Sequence, residues 1–308
     1  MRVDVVTAAH APHARYLAAA WASLRAQTHH AWRWLIQLDG TDERPLRSAL
    51  EACGAAADRR VEIAAHRTAV GPANSRNLAL ARATAPLIQN LDADDELEPA
   101  ALALLSAALT ERPATGYAAG QARDLLPGGR LRPHRLPLRD GPLPRGILLE
   151  HWNTAAGRYR LPLHPAGVMW RRGLLECLGG WSAMHGMEDT ATLIAASART
   201  AGVLLPAPTL RYRKHPQQIS GQNSKFAGGG GADSAYPAAR PPPADSPRLA
   251  PAAHRGRDRG PRLKPAAPGA RQGGQRARSC RAWGRARCGV GARLVTRWCG
   301  SVTEVGDA

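Results

Sequence analysis

The sequence has 308 residues, with 42 Lys and Arg against 24 Asp and Glu, which gives a formal net charge of +18. Its five cysteines form no Cys-x-x-Cys pair, so the sequence indicates neither a zinc site nor a disulfide framework. The N-terminus lacks the apolar core of a signal peptide, and no uninterrupted apolar stretch reaches the roughly 20 residues of a membrane span. We therefore expect a cytoplasmic protein, with peripheral membrane association left open.

Apolar runs alternate with helical patterns along the first third of the chain. Strands are predicted at 3–7, 34–38, 61–65 and 87–92, and helices at 14–27, 46–57 and 71–83. This alternation predicts an α/β fold with a doubly wound, mostly parallel sheet flanked by helices. The pattern then becomes less regular, with strands and loops predicted at 117–126, 131–144 and 166–170 and a helix at 188–200.

The composition changes near Phe226, which divides the chain into a domain of residues 1–225 and a tail of residues 226–308. The tail holds 15 basic against 5 acidic residues, together with 14 Gly and 9 Pro. So few large apolar residues cannot offset the entropy of chain ordering, and we predict a disordered basic tail. Arg outnumbers Lys 39 to 3 in the whole chain, which suggests GC-rich coding DNA. A shifted reading frame in such DNA yields a similar composition, and this alternative stays open.

Three carboxylates, Asp92, Asp94 and Asp95, directly follow the predicted strand at 87–92. The carboxyl ends of strands in an open α/β sheet are where ligands bind. Crowded like charges resist ionising together unless a cation neutralises them. Oxygen ligands with no Cys or His beside them suit Mn²⁺ or Mg²⁺ over zinc. The stretch therefore predicts a divalent-cation site, and the alternative is an acidic first turn of the next helix.

The motifs of residues 3–220 resemble, in their order, those of a nucleotide-sugar-dependent glycosyltransferase of family 2 with the GT-A fold. Asp92-Ala93-Asp94 is similar to the family's Asp-x-Asp motif. The resemblance implies that Asp94 ligates the cation and that Asp92 contacts the ribose. Residues 71–77 resemble the family's Gly-x-x-x-x-Arg-Asn helix start, which implies that Arg76 and Asn77 lie beside the donor. For Arg76, a solvated position on the helix surface is the alternative.

Two earlier segments also match the family. Val5-Val6-Thr7 resembles its first strand, which implies that Thr7 lies at the donor site. Residues 38–42 resemble the end of its second strand but are shorter by one acid and one residue. The resemblance implies that Asp39 contacts the nucleobase or ribose, while an Asp that stabilises its own turn is the alternative.

Two later segments supply the remaining predicted groups. Glu188 and Asp189 are similar to the family's Glu-Asp pair, in which the Asp is the catalytic base; acidic residues at a helix start are the alternative. Deprotonating an acceptor hydroxyl requires that acceptor desolvation or a nearby acid raise the pKa of Asp189. Residues 211–220 resemble a C-terminal family segment, which implies that His215 completes the metal shell and that Arg213 stabilises the leaving group. A structural histidine is the alternative for His215.

The resemblance implies an inverting, metal-dependent transfer of a hexosyl group from a nucleoside-diphosphate sugar to an acceptor hydroxyl. The acceptor is unknown and can be a glycan, a lipid or a natural product. The Gln-x-x-Arg-Trp signature of processive synthases is absent from the sequence, which favours transfer of a single sugar. Three alternatives remain: an inactive remnant that only binds nucleotide sugar, a nucleic-acid-binding protein acting through the basic tail, and a nucleotidyltransferase.

Overall fold

The structure, a computed structural model, describes residues 1–66, 68–154, 162–182, 186–216 and 218. The predicted tail of residues 226–308 lies outside these residues. Its boundary at residue 225 therefore stays a prediction.

Ten strands of the described residues form one mixed sheet. They are β1 (Val3–His10), β2 (Trp32–Asp39), β3 (Val61–Ala65), β4 (Leu87–Asn90), β5 (Glu96–Leu97), β6 (Thr115–Leu125), β7 (Leu131–His134), β8 (Gly141–Leu143), β9 (Met169–Arg171) and β10 (Ala201–Arg213). The strand order is β3-β2-β1-β4-β9-β6-β10-β5, with β7 added to β6 and β8 added to β10.

Seven α-helices of the described residues accompany the sheet. They are α1 (Leu17–Arg25), α2 (Arg44–Ala52), α3 (Gly71–Ala81), α4 (Ala101–Glu111), α5 (Ile147–Thr154), α6 (Arg172–Leu178) and α7 (Glu188–Arg199). A 3-10 turn, Ala11–Tyr16, connects β1 to α1. The predicted helices at 14–27 and 46–57 are thus each divided into an α-helix and a 3-10 segment. Gly54, in the left-handed region at φ 78°, separates the two parts of the second helix.

The first four major strands form the parallel arrangement that the sequence predicts. β1 pairs in parallel with β2 and β4, and β2 pairs in parallel with β3. Beyond β4, the short strand β9 runs antiparallel to both β4 and β6, and the long strands β6 and β10 are parallel to each other. The predicted α/β class is therefore confirmed, and the antiparallel strand β9 joins its two halves.

Apolar side chains cover both faces of the parallel half, as expected of strands that lie between two helix layers. Successive residues of β1 alternate between the faces. Val5 joins the core cluster that contains Trp34, whereas Val6 joins the cluster on the opposite face with Leu35. Both faces are thus closed to water, which leaves the carboxyl ends of these strands as the accessible part of this half.

The acidic stretch does not begin a helix. Asp92 to Asp95 form a turn that leads into the short strand β5, and α4 begins only at Ala101. The alternative that these carboxylates form an acidic first helical turn is therefore wrong. Among the described helices, none is long and apolar enough to cross a membrane.

Candidate active site

A pocket of about 480 Å³ opens at the carboxyl ends of the parallel strands. It lies at the edge of the sheet where open α/β folds bind ligands. Its titratable lining residues come from the strands β1, β2 and β10, the helices α3 and α7, the 3-10 turn after β1 and three loops: His10, His13, Asp39, Asp42, Arg76, Asp92, Asp94, His164, Glu188, Asp189 and Tyr212. The pocket therefore brings together six of the ten residues that the sequence proposes, namely Asp39, Arg76, Asp92, Asp94, Glu188 and Asp189.

Arg76 connects the turn after β4 to the start of α7. Its guanidinium donates to Asp92 Oδ1 at 2.7 Å and to Asp189 Oδ1 at 3.0 Å, and the residue is 4% exposed. Burial alone would lower the pKa of Arg76, but the charges of Asp189 and Asp92 outweigh it and raise the pKa above its ordinary value. The alternative of a solvated arginine on a helix surface is wrong. The Arg76 guanidinium therefore joins the carboxylates of Asp92 and Asp189.

Asp39 positions the helix that carries Arg76. Its carboxylate accepts hydrogen bonds from the backbone N–H groups of Val70, at 2.8 Å, and Gly71, at 2.9 Å. His66 Nε2 lies 3.1 Å from the same carboxylate. Asp39 thus satisfies free N–H groups at the start of α3, a site where a negative charge is favourable. The alternative that Asp39 stabilises its own turn is wrong, and its contact with a nucleotide stays a prediction.

The acidic stretch after β4 holds carboxylates in different electrostatic states. Burial raises the pKa of Asp92, but the charge and hydrogen bond of Arg76 outweigh it, so the pKa lies below its usual value. Burial and the neighbouring Asp94 and Asp92 raise the pKa of Asp95 well above its usual value. Asp95 Oδ1 accepts only from the backbone N–H of Arg213 among the described residues, at 2.9 Å. The charged form is therefore stabilised at Asp92 and disfavoured at Asp95.

Asp94 lies between two imidazoles. Its Oδ2 is 2.9 Å from His215 Nε2 and 3.9 Å from His13 Nε2. The three ligand atoms all lie within 4.8 Å of one another, a spacing that fits a single metal ion. The donor set of two imidazoles and a carboxylate is one that binds divalent transition metals. No histidine adjoins these aspartates in the sequence, but in the fold His13 and His215 lie beside Asp94.

Sequence reasoning missed His13. It lies in the 3-10 turn directly after β1, and burial lowers its pKa, which keeps the imidazole neutral and able to bind a metal. A signal was present in the sequence, because His10 and His13 follow the carboxyl end of a predicted strand. Burial likewise lowers the pKa of His10 to about 4.

Two other predicted residues, Thr7 and Asn77, support the site from outside the pocket lining. Thr7 is fully buried; its hydroxyl donates to the Leu91 carbonyl at 2.7 Å and accepts from Trp34 Nε1 at 2.8 Å. The Asn77 side chain bonds both the N–H and the carbonyl of Trp181. These contacts tie β1 to the acidic turn and α3 to the segment before α7. The donor contacts predicted for Thr7 and Asn77 stay predictions.

Arg213 holds the acidic turn in place. Its Nε donates to the Asp94 carbonyl at 2.8 Å, and its guanidinium also pairs with Glu96. The predicted contact of Arg213 with the leaving group stays a prediction, because the guanidinium already bonds this turn.

Glu188 and Asp189 do occupy the first turn of α7, as the helix-start alternative proposes. Asp189 additionally bonds Arg76, which a helix start alone does not require.

His164 and Tyr212 form an aromatic part of the pocket wall. The His164 ring is 4.1 Å from the Tyr212 ring and 5.5 Å from the His134 ring. Burial lowers the pKa of His164 to about 3, so its imidazole is neutral at physiological pH. The Lys214 ammonium lies 3.8 Å from the Tyr212 ring centre and 3.1 Å from Asp124, which directs its charge away from the acidic turn.

Comparison with known proteins agrees with this geometry. The model of glycosyl transferase family 2 matches residues 4–171, more than half of the chain. Comparison with curated proteins returned no match.

Three solved structures illustrate the likeness in fold. S. aureus TarS 1-349 in complex with UDP-GlcNAc is 17% identical and covers 71% of this chain and 60% of its own, with a TM-score of 0.54. The same protein with UDP is 16% identical and covers 70% of this chain and 61% of its own, with a TM-score of 0.52. The mannosyltransferase PcManGT from Pyrobaculum calidifontis, in complex with GDP-Man and Mn²⁺, is 18% identical and covers 67% of this chain and 55% of its own, with a TM-score of 0.47.

The chain thus spans about 60% of the length of the TarS structures that it matches. At this identity the likeness shows the fold, and the family model shows the family. The chain has the GT-A fold and belongs to glycosyl transferase family 2.

Proposed function

We propose that the protein transfers a single hexosyl group from a nucleoside-diphosphate sugar to an acceptor hydroxyl, with inversion and with Mn²⁺ or Mg²⁺. One observation carries this proposal. Arg76 joins Asp92 to Asp189, 97 positions further along the chain, in a pocket that Asp94, the partner of His215, also lines. The arrangement supplies the groups that this reaction needs: a candidate cation site and a carboxylate.

Donor binding is assigned to the acidic turn. Asp94 and His215 would hold the divalent cation, and Asp92 would bond the ribose. The bound cation would act as a Lewis acid for the diphosphate and stabilise the charge that develops on it. Arg213 keeps the turn in its conformation through the Asp94 carbonyl. The S. aureus structures that contain UDP-GlcNAc and UDP make a uridine nucleotide the first donor to test.

Asp189 is assigned as the base. Its ion pair with Arg76 orients the carboxylate and places a positive charge beside it. The position of the acceptor hydroxyl would therefore have to supply most of the effect, because an ionised Asp is a weak base that gains from close positioning. The acceptor oxygen gives its proton to Asp189 and forms a bond to the anomeric carbon as the carbon–diphosphate oxygen bond breaks. Attack opposite the leaving group inverts the anomeric configuration.

Calorimetry with uridine, guanosine and thymidine diphosphate sugars, with and without Mn²⁺, tests the donor assignment. We expect one donor to bind in a Mn²⁺-dependent manner and Asp94→Ala to lose that dependence. Asp58→Ala serves as the matched control, because Asp58 pairs with Arg60 on a turn outside the pocket. Failure of the folded wild-type protein to bind any of the donors would overturn the assignment, with thermal unfolding establishing that it is folded.

The anomeric configuration of the product tests the stereochemistry. Proton NMR of the first product formed, before any spontaneous mutarotation, distinguishes the two anomers. We expect the configuration opposite to that of the donor. A product that retains the donor configuration would contradict the single displacement by Asp189.

A further inference from the structure

The histidine in the turn after β1 has no task in the reaction described above. His13 is 8% exposed, and its Nε2 atom is buried without a hydrogen-bond partner among the described residues. A buried polar atom without a partner is costly, and such atoms in folded proteins generally have a reason. The surroundings of His13 Nε2 therefore indicate a ligand at this position.

The distances fit a common metal ion. Ligand atoms that bind one ion at about 2.0–2.2 Å lie roughly 3–4 Å from one another. Asp94 Oδ2 lies 2.9 Å from His215 Nε2 and 3.9 Å from His13 Nε2. Only small movements of the side chains are needed to bring all three onto one ion.

Ring packing holds the two imidazoles in place. The His13 ring lies 4.0 Å from the His10 ring and 5.8 Å from the His215 ring, edge to face. The Tyr16 ring lies 4.8 Å from His215 and 6.3 Å from His13. A site whose ligands are restrained before binding loses less entropy when the metal enters.

We propose that His13 is a third protein ligand of the cation, and that Asp94 and the two imidazoles select a first-row transition-metal dication over Mg²⁺. The inference rests on the proposed function in one respect, namely that Asp94 and His215 hold the ion. Imidazole nitrogens suit transition metals, whereas Mg²⁺ prefers oxygen ligands and keeps its waters. Three protein ligands leave positions open for diphosphate oxygens.

The probe is Mn²⁺, titrated alone and in the presence of UDP into full-length protein without a polyhistidine tag. Electron paramagnetic resonance measures the free ion. We expect His13→Ala to weaken Mn²⁺ binding by more than about tenfold, since even loss of a residue that only supports a ligand costs about 10–100-fold. His30→Ala is the matched control, because His30 is exposed and lies outside the pocket. We expect its affinity for Mn²⁺ to equal that of the wild type.

Two further measurements keep the inference open to refutation if His13→Ala folds poorly. Spin-echo modulation from bound Mn²⁺ reports ligated nitrogen, and we expect two imidazoles in the wild type. In His13→Asp, which replaces a nitrogen ligand with an oxygen ligand, we expect the ratio of Mn²⁺ to Mg²⁺ affinity to fall. A wild-type signal from a single imidazole, or equal Mn²⁺ affinity in the wild type and His13→Ala, would overturn the inference.

These outcomes separate the inference from the proposed function. If Asp94→Ala loses Mn²⁺ and His13→Ala does not, the metal-dependent donor site stands and the role of His13 falls. If the wild type binds no Mn²⁺, alone or with UDP, both the inference and the metal dependence fall.

Discussion

The two halves of the sheet differ in regularity and in what they contribute to the pocket. The half formed by β3, β2, β1 and β4 is parallel throughout, and its strands are joined by helices in the order of the chain. The half formed by β9, β6, β10 and β5 mixes both directions, and β10 pairs with three other strands. The first half supplies the pocket residues Asp39 and Asp92, whereas Asp189 of α7 and Tyr212 of β10 come from the later part of the chain.

The two polar pairs at the candidate site cross the junction, which is the boundary between these two halves. Arg76, from the parallel half, bonds Asp189 at the start of α7, and Asp94 bonds His215 just after β10. Each pair therefore joins one half to the other. Because neither half contains the complete arrangement, substitutions at the junction should have larger effects than substitutions within either half.

The largest effect is expected at the base. Asp189→Asn should lower kcat by about 10²–10⁴, the range attributed to general acid–base catalysis. Donor binding should change little, because the metal-binding residues remain. The rate of nucleoside-diphosphate release and the calorimetric affinity for the donor measure the two effects.

Glu188→Gln is the matched control for the base, since it removes the adjacent carboxylate from the same helical turn. We expect a smaller loss of kcat. A greater loss in Glu188→Gln than in Asp189→Asn would assign the base to Glu188.

The parallel half was well predicted from the sequence because its signals are local. The strand Val61–Ala65 is predicted with its observed bounds, and the helix predicted at 71–83 corresponds to α3. Apolar periodicity and a Gly-Pro start are properties of neighbouring residues. The cluster of carboxylates could also be predicted, because it directly follows the predicted strand at 87–92 in the sequence.

The mixed half and the metal ligands were harder to predict because they depend on distant contacts. The thirteen-residue strand β10 and the helix α4 were not predicted. No local pattern places β9 antiparallel between two longer strands. His13 meets Asp94 only when the turn after β1 packs against the turn after β4, and Arg76 is buried only because α7 supplies Asp189.

The second effect concerns stability at the junction. Arg76→Met removes the cation between Asp92 and Asp189, and we expect a loss of about 3–5 kcal/mol in the free energy of unfolding, as for other broken buried ion pairs. Urea denaturation in the presence of a chelator measures it without compensation by metal ions. Arg47→Met is the control; Arg47 in α2 pairs with Glu43, the two side chains are 44% and 42% exposed, and we expect a loss of about 1 kcal/mol or less. Equal losses in the two variants would contradict the special role of the junction.

The third effect tests packing within the mixed half. A Cβ at Gly120 would lie 2.4 Å from Thr209 Cγ2 and 2.7 Å from the Ala207 carbonyl oxygen, where β6 meets β10. We expect Gly120→Ala to lower the free energy of unfolding by about 1–3 kcal/mol, as overpacking commonly does. Gly173→Ala is the control, because nothing lies within 4 Å of its Cβ position. An unchanged urea midpoint in Gly120→Ala would show that β6 and β10 separate easily.

The smallest effect is a dependence of stability on pH at the pocket wall. Burial lowers the pKa of His164 from 6.5 to about 3, so on acidification the unfolded chain takes up a proton before the folded chain does. Stability linked to this group is therefore complete above about pH 6.5 and is lost as the pH falls towards 3. Between pH 7 and pH 5.5 the expected loss is about 1 kcal/mol. Urea denaturation at both pH values should show a loss that is larger in the wild type than in His164→Gln by about 1 kcal/mol, because the variant has no titratable group at this position. The same loss in both proteins would mean that the imidazole takes up its proton equally well in the folded chain, and that the wall formed with Tyr212 and His134 admits water.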